Sequence, residues 1–225
     1  KLSPVQEALV ENNGTQCGFC TPGFVMSLTC FLISPELSSL EYVIKSMDGN
    51  ICRCTGYKSI ERAAENIVQI KTHLGKNDPI DWVIENRFLP EYFKTIASKL
   101  KKIEASEDFP NENLVIAGGT DLMVQQPDAI CEKELKSVSD TRRLKGIEIR
   151  EGYCTIGSGT VAAEIMDSPS LNLLLPRLKE HFKLISSTPI RNMGTLAGNL
   201  VNASPIGDLS IFFLGLNADV FLTDG

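Results

Sequence analysis

Four cysteines set the chemistry that this sequence can support. Cys17-Gly18-Phe19-Cys20 and Cys52-Arg53-Cys54 are separated by 31 residues, so a C-x2-C knuckle faces a C-x-C pair. Thiolates are soft ligands, and four of them converging on one centre can hold zinc or iron. Structural zinc takes pairs spaced C-x2-4-C on short knuckles, and the second pair is too tight for that. A two-iron cluster places two ligands on each iron, so the spacing favours iron–sulfur over zinc, with a set of buried unliganded thiols as the third reading.

The residues around these cysteines read as the helices that must position them. Ser3-Pro4 opens a helix carrying Val5, Ala8 and Leu9, which ends at Asn12-Asn13-Gly14. After Cys20, Thr21 caps and Pro22 takes the first helical position of a run in which Phe24, Val25, Leu28, Phe31 and Leu32 recur at helical spacing, until Ser34-Pro35. Ser38 or Ser39 caps a helix over 40–47, and Asp48-Gly49-Asn50 ends it just before Cys52. Ser59 opens the next, through Ile60, Ala63, Ala64, Ile67, Val68 and Ile70 to Gly75. The order predicts a four-helix arrangement with a metal centre at the joint between two helix pairs.

Gln16-Cys17-Gly18-Phe19-Cys20-Thr21-Pro22-Gly23 and Asn50-Ile51-Cys52-Arg53-Cys54-Thr55-Gly56-Tyr57 resemble the helical [2Fe-2S] domain of the xanthine dehydrogenase and aldehyde oxidase family of molybdenum hydroxylases. The resemblance covers residues 1–75. It implies a [2Fe-2S] cluster held by Cys17, Cys20, Cys52 and Cys54. Arg53 reads as a candidate charge near such a cluster and equally as a surface cation.

A formal charge of −6 without a dense Lys/Arg run excludes nucleic-acid binding as the main task. No apolar stretch reaches the ~18 residues of a membrane span, and the N-terminus lacks a secretion pattern. Seven cysteines, an odd number in partly metal-like spacing, suit a reducing, cytoplasmic setting. Cys30, Cys131 and Cys154 read as small core hydrophobes, and His73 and His181 as helix-surface residues, so no second metal site is expected.

At 225 residues there is room for two domains. Residues 76–111 read as a linker with one amphipathic helix marked by Tyr92, Phe93, Ile96 and Leu100, and Trp82 and Phe88 as anchors that could pack it on either domain. An α+β domain follows over 112–225. Its first informative stretch runs from an apolar strand over Val115 and Ile116 into Ala117-Gly118-Gly119-Thr120-Asp121-Leu122, a turn whose N–H groups can face a diphosphate. By itself this reads first as a plain strand-to-helix turn capped by Thr120 or Asp121, and it lacks the G-x-G-x-x-G of a standard Rossmann fold. A hairpin is expected, Ile147–Arg150 and Tyr153–Ile156 about Glu151-Gly152, then a helix over 171–185 interrupted at Pro176. Residues 187–208 read as one long functional loop of small, hydrogen-bonding residues, with Asp208 capping a helix over 209–216.

Ala117–Leu122 together with Arg191–Asp208 resembles the FAD-binding domain of the same family. The resemblance implies that Val115, Ile116, Ala117, Gly118, Gly119, Thr120, Asp121 and Leu122 cradle the pyrophosphate. Thr195, Gly198, Asn199, Asn202 and Asp208 would surround the flavin. The expected architecture is therefore α+β: a four-helix [2Fe-2S] domain followed by an FAD domain that is incomplete at its C-terminus. Within the family, the fusion is most similar to the iron–sulfur/FAD part of the xanthine dehydrogenase type; aldehyde, nicotinate and carbon monoxide dehydrogenases fit almost as well. No C-x4-C-x2-C ferredoxin motif precedes Cys17, which is read as the mark of a fragment. The resemblance further implies a molybdenum cofactor on a partner subunit or missing segment, NAD as electron acceptor and a higher-order oligomer, with no nucleic-acid or membrane partner. A zinc-stabilised helical interaction module is the alternative of a different class.

Overall fold

Helix α4 (Lys58–Leu74) shows how the first unit is built: Ile60, Ala63, Ala64, Ile67 and Leu74 recur on one stripe, and all are buried. The computed structural model describes residues 1–75, 77–103, 114–139 and 141–222, divided into two units, Lys1–Glu104 and Ala105–Gly225. Ala63 and Ala64 present only methyl groups, which lets α1 (Pro4–Glu11), α2 (Thr21–Ile33) and α3 (Leu40–Met47) pack against α4. Ser3 and Gln6 close a reciprocal capping box on α1, and the Ser39 hydroxyl accepts from Tyr42 N–H at the start of α3. The four expected helices are present. The start of α4 differs: Tyr57, with φ 68°, stands at the N-cap and Ser59 lies inside the helix.

Lys71 occupies the apolar stripe of α4 and is buried. Its ammonium donates to Phe31 O (2.6 Å), Ser34 O (2.9 Å) and Ser34 Oγ (3.0 Å), and lies 4.4 Å from the Phe31 ring centroid. The last carbonyls of α2 have no partner within their own helix, and a cation there meets both their lone pairs and the negative helix end. Burial pushes the Lys71 pKa down, opposed by Glu36. Lys71→Met keeps the stem and deletes the three donors; thermal unfolding should show a loss of about 1–3 kcal/mol.

The stretch read as a linker supplies two helices, α5 (Pro79–Glu85), capped by Asp78, and α6 (Phe93–Leu100). Val83 is buried in the first unit's core, and Trp82 and Phe88, with ring centroids 6.0 Å apart, pack against that core. A seven-residue helix with two core residues, Trp82 and Val83, is too short to stand out as a periodic pattern.

In the second unit β1 (Leu114–Ile116) pairs in parallel with β2 (Leu135–Ser137), Val115 opposite Lys136, and α7 (Leu122–Gln125) and α8 (Pro127–Cys131) make the crossover. Strand β2 has three residues, too few to show a period of two in the sequence. β3 (Ile147–Arg150) and β4 (Tyr153–Ile156) form the expected hairpin, with φ 52° at Glu151 and 83° at Gly152, as a two-residue turn that follows strand twist requires. The expected helix over 171–185 is two, α10 (Pro169–Leu174) and α11 (Leu178–Phe182), because Pro176 cannot donate within a helix. They pack with α9 (Ala162–Asp167) on a core of Ile165, Met166, Leu178 and Phe182, where Phe212 meets Phe182 edge-on at 5.2 Å.

The supposed loop 187–208 contains α12 (Thr188–Met193) and α13 (Leu196–Asn202), followed by α14 (Asp208–Gly215). Its small polar residues carry no apolar stripe, so tertiary hydrogen bonds define these helices. A second correction concerns Cys30, Cys131 and Cys154, which are exposed rather than core residues. His73 and His181 lie on exposed helix surface as expected. Among the described residues, no helix is long and apolar enough to cross a membrane.

Candidate metal centre and flavin site

The two cysteine motifs occupy the turns that enter α2 and α4. Gly18, at φ 83°, bends the first so that Cys20 forms the N-cap of α2; Gly56 and Tyr57, at 62° and 68°, bend the second into α4. Asn50 brings the turns together. Its side-chain amide donates to Ser27 Oγ on α2 (2.8 Å) and to Met47 O (3.2 Å), closing the end of α3 onto the helix that follows Cys20. Gly23 makes room for this, since a Cβ there would overlap Asn50 Oδ1. Gly23→Ala should therefore displace Asn50 from Ser27 and lower stability by about 1–3 kcal/mol, read from the thermal midpoint.

The thiols come two by two. Cys54 donates to Cys17 across 3.5 Å, and the Cys20 and Cys52 thiols are near enough to shift each other's acidity. Among the described residues no three His, Cys, Asp or Glu side chains gather around one metal-ion position. In each pair one thiol is more acidic and the other less so. The Phe19 N–H and then Cys54 lower the Cys17 pKa, whereas the bond to Cys17 raises that of Cys54. Burial and then Cys52 raise Cys20. The Thr55 hydroxyl, followed by backbone N–H groups, brings Cys52 down to about 7, which favours the thiolate that binds metals. Cys52 is buried, Cys20 half-buried, and Cys17 and Cys54 exposed. Four neighbouring thiols that associate in pairs match a centre with two metals, two thiolates on each. Arg53 is exposed beside them.

Around Cys52 the second turn closes on itself. Thr55 Oγ1 lies 3.1 Å from Cys52 Sγ and accepts from Tyr57 N–H at 3.3 Å, while Tyr57 OH accepts from Cys52 N–H at 3.1 Å. Phe19 and Ile51 flank the cysteines and are 94% and 83% exposed.

In the second unit the strand β1 delivers Ala117–Asp121 against the turn between α12 and α13. A Cβ on Gly118 would overlap the carbonyl of Met193, so two backbones touch there, and Gly119 turns at φ 68° into α7. Neither turn stands alone. Ser139 Oγ donates to Ala117 O (2.9 Å), Gln125 Nε2 donates to Asn202 Oδ1 (3.1 Å), and Ala162 N–H donates to Gly194 O (3.0 Å). Leu196 and Ala197 N–H donate to Thr160 and Ser158 carbonyls, both at 2.9 Å, bringing in the turn after β4, which the sequence reading did not include in the site. Its Gly157-Ser-Gly159 was visible only as the end of a hairpin.

Of the residues assigned to the flavin, Gly118 and Thr120 are therefore brought to the Met193–Gly194 backbone that precedes Thr195. Thr195 is buried and caps α13 by accepting from Gly198 N–H (3.1 Å). Asn199 Oδ1 accepts from Ser210 N–H (3.2 Å) and its hydroxyl (3.3 Å), and so anchors α14. Asn202 joins α13 to α7 through Gln125. Val115 and Ile116 lie in β1, and Leu122 begins α7. Asp121 precedes α7 without a side-chain cap bond. Asp208 is exposed in the first turn of α14, whose N-cap is Gly207 rather than Asp208. The backbone approach at Gly118 and the adjacent polar groups fit a diphosphate-bearing ligand.

Residues 89–225 match the model of the FAD binding domain in molybdopterin dehydrogenase, and residues 1–65 that of a [2Fe-2S] binding domain. The chain belongs to the molybdenum hydroxylase family. It is an iron–sulfur and FAD portion of that oxidoreductase family, with the two cofactor-binding domains in the expected order. Aldehyde oxidase 3 of Rattus norvegicus is 26% identical over 95% of the chain and 20% of its own length. Xanthine dehydrogenase/oxidase of the same organism is 26% identical over 99% and 21%. Xanthine dehydrogenase of Dictyostelium discoideum reaches 49% identity over 29% of the chain and 5% of its own length. The chain spans about a fifth of the length of the first two relatives.

Proposed function

We propose that this chain is the electron-transfer portion of a molybdenum hydroxylase of the xanthine dehydrogenase type. Cys17, Cys20, Cys52 and Cys54 hold a [2Fe-2S] cluster, and Val115–Leu122 with Thr195, Gly198, Asn199, Asn202 and Asp208 hold FAD. The observation that carries this reading is the pairing of Cys17 with Cys54 and of Cys20 with Cys52 within a stretch that matches a [2Fe-2S] binding domain. When bound, the cluster supplies one-electron transfer and the flavin collects two electrons for release as hydride to NAD.

The chain's own residues do the positioning. Asn50 holds the second cysteine turn on α2, and Thr55 donates toward Cys52. Gly118 admits close backbone approach beside the α13 N-terminus. The molybdenum cofactor resides on a partner subunit or further segment, where a heterocycle or aldehyde is hydroxylated. Phe19 and Ile51, nearly fully exposed beside the cysteines, suit burial against that partner in a larger oligomer. The odd cysteine count and metal-type spacing support a cytoplasmic setting. Rat aldehyde oxidase 3 matches at the same 26% identity as the xanthine enzyme, so an aldehyde-oxidising partner is the second reading.

A visible absorption spectrum of the anaerobically purified chain, with iron, sulfide, zinc and acid-released flavin assayed on one sample, tests the proposal. Iron and sulfide at about two per chain with bound FAD are expected. Zinc at about one per chain without colour would sink the electron-transfer reading in favour of a zinc-stabilised module. Xanthine and aldehyde turnover by the assembled enzyme separates the two substrate readings.

A further inference from the structure

We propose that Thr55 tunes the reduction equilibrium of the centre held by Cys52, as a positioning residue that donates an O–H···S hydrogen bond to the Cys52 sulfur. This rests on the reading of Cys52 as a cluster ligand. A threonine hydroxyl carries one proton and two lone pairs. One lone pair of Thr55 Oγ1 receives Tyr57 N–H at 3.3 Å, which turns the hydroxyl in the loop. Cys52 Sγ lies 3.1 Å away, and a metal-bound thiolate has no proton to give, so the hydroxyl is the donor.

Backbone N–H groups of Thr55 and Cys54 also serve the Cys52 sulfur, and the Thr55 hydroxyl adds a side-chain donor that a substitution can remove. The N–H of Cys52 itself donates to Tyr57 OH at 3.1 Å. Tyr57 therefore closes the ring twice, its hydroxyl on Cys52 N–H and its own N–H on Thr55. This closure accompanies a backbone φ of 68°, sterically unfavourable for a residue with a Cβ. The result is a six-residue turn that aims one hydroxyl at one sulfur. Reduction adds an electron whose charge spreads onto the sulfurs, and a donor there favours the reduced form.

Redox titration of the full chain with dithionite, followed by electron paramagnetic resonance, tests this with three variants. Thr55→Val deletes the donor at similar volume and should lower the one-electron reduction equilibrium constant on the order of tenfold, about 59 mV. Thr55→Ser restores the hydroxyl and should titrate with the parent. If neither Thr55→Val nor Thr55→Ala retains iron while Thr55→Ser does, the hydroxyl is required to hold Cys52, which also supports the proposal. Equal potentials in parent and Thr55→Val, or equal iron loss in all three variants, overturn the role of Thr55 while leaving the cluster reading intact. A parent chain without iron or sulfide overturns both.

Discussion

Cys52→Ser is expected to remove most of the iron–sulfur centre, taking iron and sulfide from about two per chain to a small fraction of that. Cys52 is the one buried cysteine of the four, and the Thr55 hydroxyl with nearby backbone N–H groups brings its thiol down to about 7. An alkoxide in its place would have to form from a far weaker acid and is a harder, poorer ligand for iron. Loss of one thiolate also leaves Cys20 without its partner. The measurement is iron, sulfide and visible absorbance in parent and variant prepared identically. Cys30→Ser, at an exposed thiol on α2, is the control and should leave all three unchanged. Equal iron in parent and Cys52→Ser would remove Cys52 from the ligand set. Far-ultraviolet circular dichroism should still show the helices, because the core of Phe24, Leu28, Ile60 and Ile67 does not depend on the thiol.

Gly118→Ala should be the most damaging single methyl in the second unit. The added Cβ meets the carbonyl of Met193 and then Gly194 N, and both are backbone atoms that no side-chain rotation can move aside. The β1–α7 turn and the α12–α13 turn must separate, straining the Gln125–Asn202 and Ala162–Gly194 hydrogen bonds that join these elements. A loss of about 1–3 kcal/mol or more is expected, together with loss of bound FAD. Differential scanning calorimetry and released flavin read the two effects. Val124→Ala, at a side chain 80% exposed on the neighbouring helix, should change stability by less than about 0.5 kcal/mol and separates local packing from general sensitivity. Retention of parental flavin by Gly118→Ala would show that this close approach is not part of the flavin site.

Much of the first unit, and the hairpin of the second, was legible because the signals are local. Ser39 and the apolar residues of 40–47 specify α3 with no knowledge of the rest of the chain, and Glu151-Gly152 specifies the hairpin with its register. The cysteine spacing likewise carries its chemistry within a few residues on each side. What remained hidden depends on residues far apart. Lys71 lies on an apolar stripe, and only the carbonyls at the C-terminal end of α2, 37 and 40 residues earlier, explain a charge there. Cys30, Cys131 and Cys154 were expected inside because cysteine is a small hydrophobe, but which helix or strand face turns inward is decided by the neighbours.

The flavin region divides in the same way. Its glycines and short polar residues announced a close-packed functional region, but not α12 and α13, whose few residues carry no hydrophobic period. Their ends are set by Thr195 accepting from Gly198 and by Thr160 and Ser158 carbonyls accepting from Leu196 and Ala197. By itself, then, the sequence determined the order of the first four helices, the hairpin and the four candidate thiolates, since caps, turns and periodicity act over a few residues. Only the tertiary structure decided that the thiols meet as Cys17 with Cys54 and Cys20 with Cys52, and that Gly118 rests on Met193. Both are contacts between backbone segments distant along the chain, selected by packing rather than by local preference.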